Sequence, residues 1–85
     1  MKTFEYTIKD ELGLHARPAG LLAKAAKALD STVTVTKGDK TVGADRLMAL
    51  MGLCAKCGDT VTVTIDGGDE AAAEKAMRDF FEANL

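Results

Sequence analysis

His15 is the only histidine among the 85 residues. It stands in the run Gly13-Leu14-His15-Ala16-Arg17-Pro18-Ala19, where a loop gives way to a helix. Taken alone, a single histidine is usually a surface or capping residue, and its neighbours decide whether it does chemistry. Pro18 falls in the first helical turn, where a missing N–H costs nothing because that donor has no partner in the helix. The remaining first-turn amides, with the positive end of the helix dipole, make an anion site. Ala16 and Pro18 therefore support a phosphate cradle, and the Arg17 guanidinium can grip a phosphate at two points. A ring nitrogen, a cradle and a charge clamp within one turn suit covalent carriage of a phosphoryl group. No second histidine, no aspartate spaced to complete a triad and no metal-ligand set accompanies them. Neither a metal nor a cofactor is expected.

The elements that must position this turn follow from periodicity. Residues 2–9 alternate, with Phe4, Tyr6 and Ile8 set against Thr3, Glu5 and Thr7, which predicts a half-buried strand. Residues 16–29 repeat at helical spacing, with Ala19, Leu22, Ala23, Ala26 and Leu29 as the core stripe. Arg17, Leu21 and Lys24 fall on the opposite side of that helix. Val33 and Val35 face one way in a strand over 32–36. Lys37-Gly38-Asp39-Lys40 then turns the chain into a short return strand at Thr41 and Val42. Asp45 is placed to cap a helix from Arg46 to about Leu53. Residues 60–65 give a strand with Val61, Val63 and Ile65 on one face. Asp69 caps a last helix, whose early acids Glu70 and Glu74 suit its dipole and whose anchors are Met77, Phe80 and Phe81. Four strands that each need one covered face, with three helices between and after them, predict an α+β domain of two layers.

Composition narrows the partners. A formal net charge of −2 gives no reason to expect nucleic acid. No apolar run approaches the ~20 residues a membrane span needs, and the N-terminal residues lack a signal-peptide core. Two cysteines are too few for a disulfide framework, which favours a cytoplasmic setting.

The motif around His15 resembles the active-site motif of the HPr family, the histidine-containing phosphocarriers of the bacterial phosphoenolpyruvate-dependent phosphotransferase system. The resemblance extends to the chain length, the βαββαβα order and the region 38–58, including Leu47-Met48-Ala49-Leu50-Met51. It implies an open-faced β-sandwich, a four-stranded antiparallel sheet covered on one face by three helices, as a single domain over residues 1–85. It also implies that His15 takes phosphate on Nδ1 from enzyme I and passes it to a IIA domain of a sugar permease, with Arg17 stabilising the transferring state. Turnover would belong to those partners, so the chain is expected to be a carrier rather than an enzyme, and a monomer.

The segment 47–53 is more apolar than a half-buried helix requires. Either a nearly buried helix or a docking patch accounts for that excess, and Met-rich exposed surfaces suit several partners. In the family, the positions matching Leu47, Met48 and Met51 form such a contact surface. Gly20, Leu21, Lys24, Lys27 and Arg46 complete the expected partner face, the lysines steering the domain toward acidic surfaces. Many relatives carry a regulatory serine where Arg46 stands here; the only serine of this chain is Ser31. Cys54-Ala55-Lys56-Cys57 follows a helix rather than opening one, the wrong end for dipole activation of a thiol, and two thiols fall short of a zinc site. Two other readings share the motif: a phosphocarrier of the nitrogen-related branch, and an HPr-like regulatory module that binds partners without passing phosphate onward.

Overall fold

The computed structural model describes residues 1–85, and the seven elements occur in the expected order. They are β1 (Lys2–Thr7), α1 (Ala16–Lys27), β2 (Thr32–Lys37), β3 (Lys40–Gly43), α2 (Leu47–Gly52), β4 (Thr60–Asp66) and α3 (Glu70–Asn84). The strands form one antiparallel sheet in the order β1-β4-β2-β3. Register explains why only one face is covered. Phe4, Val63, Val35 and Val42 lie opposite one another across all four strands, and Ile65 pairs with Val33 beside them. Thr3, Thr64 and Thr34 form the neighbouring row, as do Glu5, Thr62, Thr36 and Thr41. Because successive side chains alternate faces, the valine rows meet the helices and the threonine rows meet water. Two cross-strand hydroxyl pairs, Thr7 with Thr60 at 2.9 Å and Thr36 with Thr41 at 2.8 Å, lie on that polar face. This is the two-layer α+β arrangement that the residue pattern predicts and the open-faced β-sandwich that the family resemblance implies.

Helix α1 buries Pro18, Ala19, Leu22, Ala23 and Ala26. Small residues dominate that stripe, so its backbone can approach the sheet closely, while Arg17, Leu21, Lys24 and Lys27 remain exposed. Helix α3 buries Ala73, Met77 and Phe81, and the Phe81 ring meets Phe4 and Tyr6 edge-on at 6.1 and 5.4 Å. Asp69 caps α3 as expected, its carboxylate accepting from the Ala72 amide at 3.2 Å.

Several local expectations are corrected. β1 ends at Thr7 rather than Lys9, because the Ile8 amide bonds to Asp59 and the Lys9 amide to Leu85, outside the ladder. α1 stops at Lys27, and Leu29 packs against the core from the following turn. Asp45 does not cap α2. The N-cap is Arg46, which makes no side-chain cap bond, and the chain enters the helix through the Arg46 amide bonding back to Gly43. Glu74 lies beyond the first turn of α3 and pairs instead with Arg78.

Candidate functional site

The loop at 8–15 delivers His15 to the mouth of α1. Gly13 has φ +69°, a conformation open to glycine, and a Cβ at this position would collide with the Ala55 carbonyl oxygen. That closeness lets the Leu14 amide bond to the Ala55 carbonyl at 2.9 Å and buries Leu14 in the core. The next residue, His15, is therefore fixed by its neighbour's packing. It is the N-cap of α1, with φ −92° and ψ −173°, and its carbonyl accepts the first helical bond from Ala19 at 2.9 Å. Its imidazole makes no cap bond to the helix, unlike the serines and aspartates usual at this position. The residue is half-buried and its ring is uncommitted, at the N-terminus of α1 where the first-turn amides have no helical partner.

Arg17 is exposed and takes part in none of the four ion pairs of the molecule. Pro18 is buried in the first turn of α1. An open hollow of about 370 Å³ is lined by Asp10, Leu12, His15, Arg17, Pro18, Leu21, Ala83 and Asn84. Histidine, arginine and the mouth of α1 thus share one concave surface. Reasoning from sequence missed four of these residues, Asp10, Leu12, Ala83 and Asn84. The last two come from the far end of the chain, where no local signal marks them as neighbours of His15.

The apolar excess of α2 resolves into two faces. Leu50 is wholly buried and Leu53 nearly so, which anchors the helix. Met48 is 77% exposed, and Leu47 and Met51 are exposed beside it. Helix α2 packs on α1, which carries a further exposed apolar residue, Leu21. Gly20 is half-buried on α1, with open space where a side chain would stand. Lys24 and Lys27 occupy the last turn of α1, and Arg46 is exposed at the start of α2. All the residues expected on the partner face are therefore at the surface of α1 and α2.

Cys54 and Cys57 are both free and exposed. Ser31 is buried, its hydroxyl donating to the Gly67 carbonyl at 2.6 Å. No group of three or more His, Cys, Asp or Glu residues could hold a metal ion, and no helix is long and apolar enough to cross a membrane.

Comparison with known proteins agrees with this geometry. The PTS-HPr family, described as the PTS HPr component phosphorylation site, matches residues 2–83. Phosphocarrier protein HPr of Mycoplasma capricolum is 36% identical over 78 residues, covering 92% of this chain and 88% of that protein. The HPr-like protein Crh of Halalkalibacterium halodurans is 37% identical over 75 residues, 88% of this chain and 89% of that one. The crystal structure of HPr from Thermoanaerobacter tengcongensis superposes with a TM-score of 0.91 at 38% identity, covering 98% of this chain and 93% of that one; a dimeric form from the same organism gives 0.76. With the family match running almost end to end and the fold shared at this level, the chain belongs to the HPr family of phosphocarrier proteins of the phosphotransferase system.

Proposed function

We propose that this chain is a single carrier domain over residues 1–85 that accepts a phosphoryl group on His15 from enzyme I and delivers it to a IIA domain. The observation that carries the reading is the uncommitted His15 ring at the mouth of α1, sharing one hollow with an Arg17 that has no anionic partner. The ring nitrogen, Nδ1 by family resemblance, attacks phosphorus with its lone pair. The bond from phosphorus to the donor breaks as the new phosphorus–nitrogen bond forms, and the donor keeps that electron pair. The α1 amides and Arg17 then offset the charge of the phosphoryl oxygens. Delivery runs the same displacement with His15 as the leaving group. Nothing in this sequence needs a cofactor, and turnover belongs to the partner proteins.

The partners dock on the face formed by Gly20, Leu21, Lys24, Lys27, Arg46, Leu47, Met48 and Met51. Apolar contact at its centre supplies affinity, and the basic rim steers acidic surfaces toward it. Arg46 stands where many relatives carry a regulatory serine, and Ser31 is buried and hydrogen-bonded, so transfer runs without a serine switch. Similarity to Crh supports a second reading, a regulatory module acting on partner proteins. The joint presence of His15 and Arg17 favours the carrier.

Incubation with enzyme I and phosphoenolpyruvate is expected to add one acid-labile phosphate, absent in His15→Ala. Arg17→Ala is expected to slow the addition about tenfold, the scale of losing one charge-assisted contact. A wild-type protein left unmodified by a competent enzyme I sinks the carrier reading.

A further inference from the structure

Helix α2 has six residues and no basic side chain in its last turn, so its final carbonyls need partners from elsewhere. The β2–β3 hairpin supplies them. The Lys40 ammonium donates to the Gly52 carbonyl at 3.3 Å. The Lys37 ammonium donates to the Cys54 carbonyl at 3.0 Å and the Leu53 carbonyl at 3.4 Å, and pairs with the Asp59 carboxylate at 3.2 Å. Three ammonium protons thus meet three acceptors. The same Asp59 carboxylate accepts from the Lys56 amide at 2.9 Å, and the Asp59 amide returns a bond to the Lys56 carbonyl. Lys37 therefore grips both ends of the segment 54–59.

That segment is the wall against which the His15 loop rests. Ala55 is buried, its carbonyl holds the Leu14 amide, and the Lys56 Cα would lie 2.7 Å from a Cβ on Gly13. Backbone contact this close passes a displacement of the wall directly to Leu14 and His15. Cys54 also carries φ +54°, the one non-glycine residue of the chain in the left-handed region. Such a residue persists only where its surroundings hold it, and the Lys37 bond to its own carbonyl is one such hold.

We propose that Lys37 is a positioning residue for phosphoryl acceptance: it fixes the segment 54–59 against Gly13 and Leu14 and so sets the His15 ring within its hollow. The proposal rests on the reading of His15 as the phosphoryl acceptor. The Lys37–Asp59 pair is half-exposed and water screens it, so it contributes little to stability by itself; its effect is on where the backbone sits.

The test compares wild type with Lys37→Met, which keeps the stem and removes the donors, and with Lys37→Arg, which keeps charge and donors. Amide NMR signals report the backbone, and phosphorylation by enzyme I with phosphoenolpyruvate reports the site. Lys37→Met is expected to shift the Leu14 and His15 amides and to lower the maximal rate about tenfold, the scale of a sub-ångström misplacement. The KM for enzyme I stays near the wild-type value, and Lys37→Arg recovers most of the rate. Unmoved Leu14 and His15 signals overturn the proposal, as does an unchanged maximal rate with only a lower melting temperature or a higher KM. If Lys37→Met does not fold, Asp59→Asn loosens the same segment from its other end and is read in the same way. A wild type that accepts no phosphate defeats the carrier reading instead, and the amide signals then decide the positioning alone.

Discussion

His15 departs from what an N-cap residue ordinarily does. A serine or aspartate there would spend its side chain on the helix amides, whereas the imidazole leaves them open and keeps its own nitrogens free. That arrangement depends on a glycine two residues earlier. At Gly13 the positive φ and the Ala55 carbonyl together forbid a side chain. Gly13→Ala must therefore both strain the backbone and push the loop off Ala55, breaking the Leu14 bond. We expect a loss of about 2–4 kcal/mol from the sum of left-handed strain and overpacking, measured by urea denaturation. A change under about 0.5 kcal/mol, typical of ordinary surface substitutions, would show that the loop adapts without cost and that Gly13 does not set the ring.

At the scale of elements, α2 sets a buried and an exposed apolar side chain two positions apart in sequence. Leu50 points into the core with no exposed surface, and Met48 lies 77% exposed on the other side. Leu50→Ala is expected to cost about 3 kcal/mol of folding stability, the usual range for a buried leucine truncated in a core. Met48→Glu should leave the unfolding midpoint near that of wild type and weaken binding to enzyme I about tenfold or more, as loss of a central apolar contact does. Calorimetric titration and denaturation of the two variants together check this; equal loss of stability in both would make α2 a core helix and remove the docking face. The division was partly legible in the sequence, since five apolar residues among seven exceed what one buried stripe needs. Which of them face outward was not, because a helix this short shows less than two turns of pattern. The cap failed for a related reason. Asp45 has the right residue type, but the bond from the Arg46 amide to Gly43 moves the helix start one residue on.

For the whole molecule, strand alternation and the motif at 13–19 made the layers, their order and the His15–Arg17 pairing legible, because both are encoded within a few residues. The closure of the site by Ala83 and Asn84, and the grip of Lys37 on the segment 54–59, were not. They join parts of the chain that meet only once the sheet has assembled. One of these links has a solution signature. The Asp59 carboxyl is held below its ordinary value of 3.8 by the Lys56 amide first and by Lys37 second. A carboxylate depressed in the folded state stabilises the fold at pH values above its unfolded pKa. The stability is lost as the pH falls below that value and through the folded one. The melting temperature should therefore be flat near neutrality with respect to this group, with its contribution disappearing below about pH 4. Asp59→Asn removes the titration but keeps an acceptor of the same shape. Its melting temperature should lie below wild type at pH 7 and converge on it in acid. A constant offset between the two proteins from pH 7 down to pH 3 would mean that the charge of Asp59 plays no part in holding the wall behind His15.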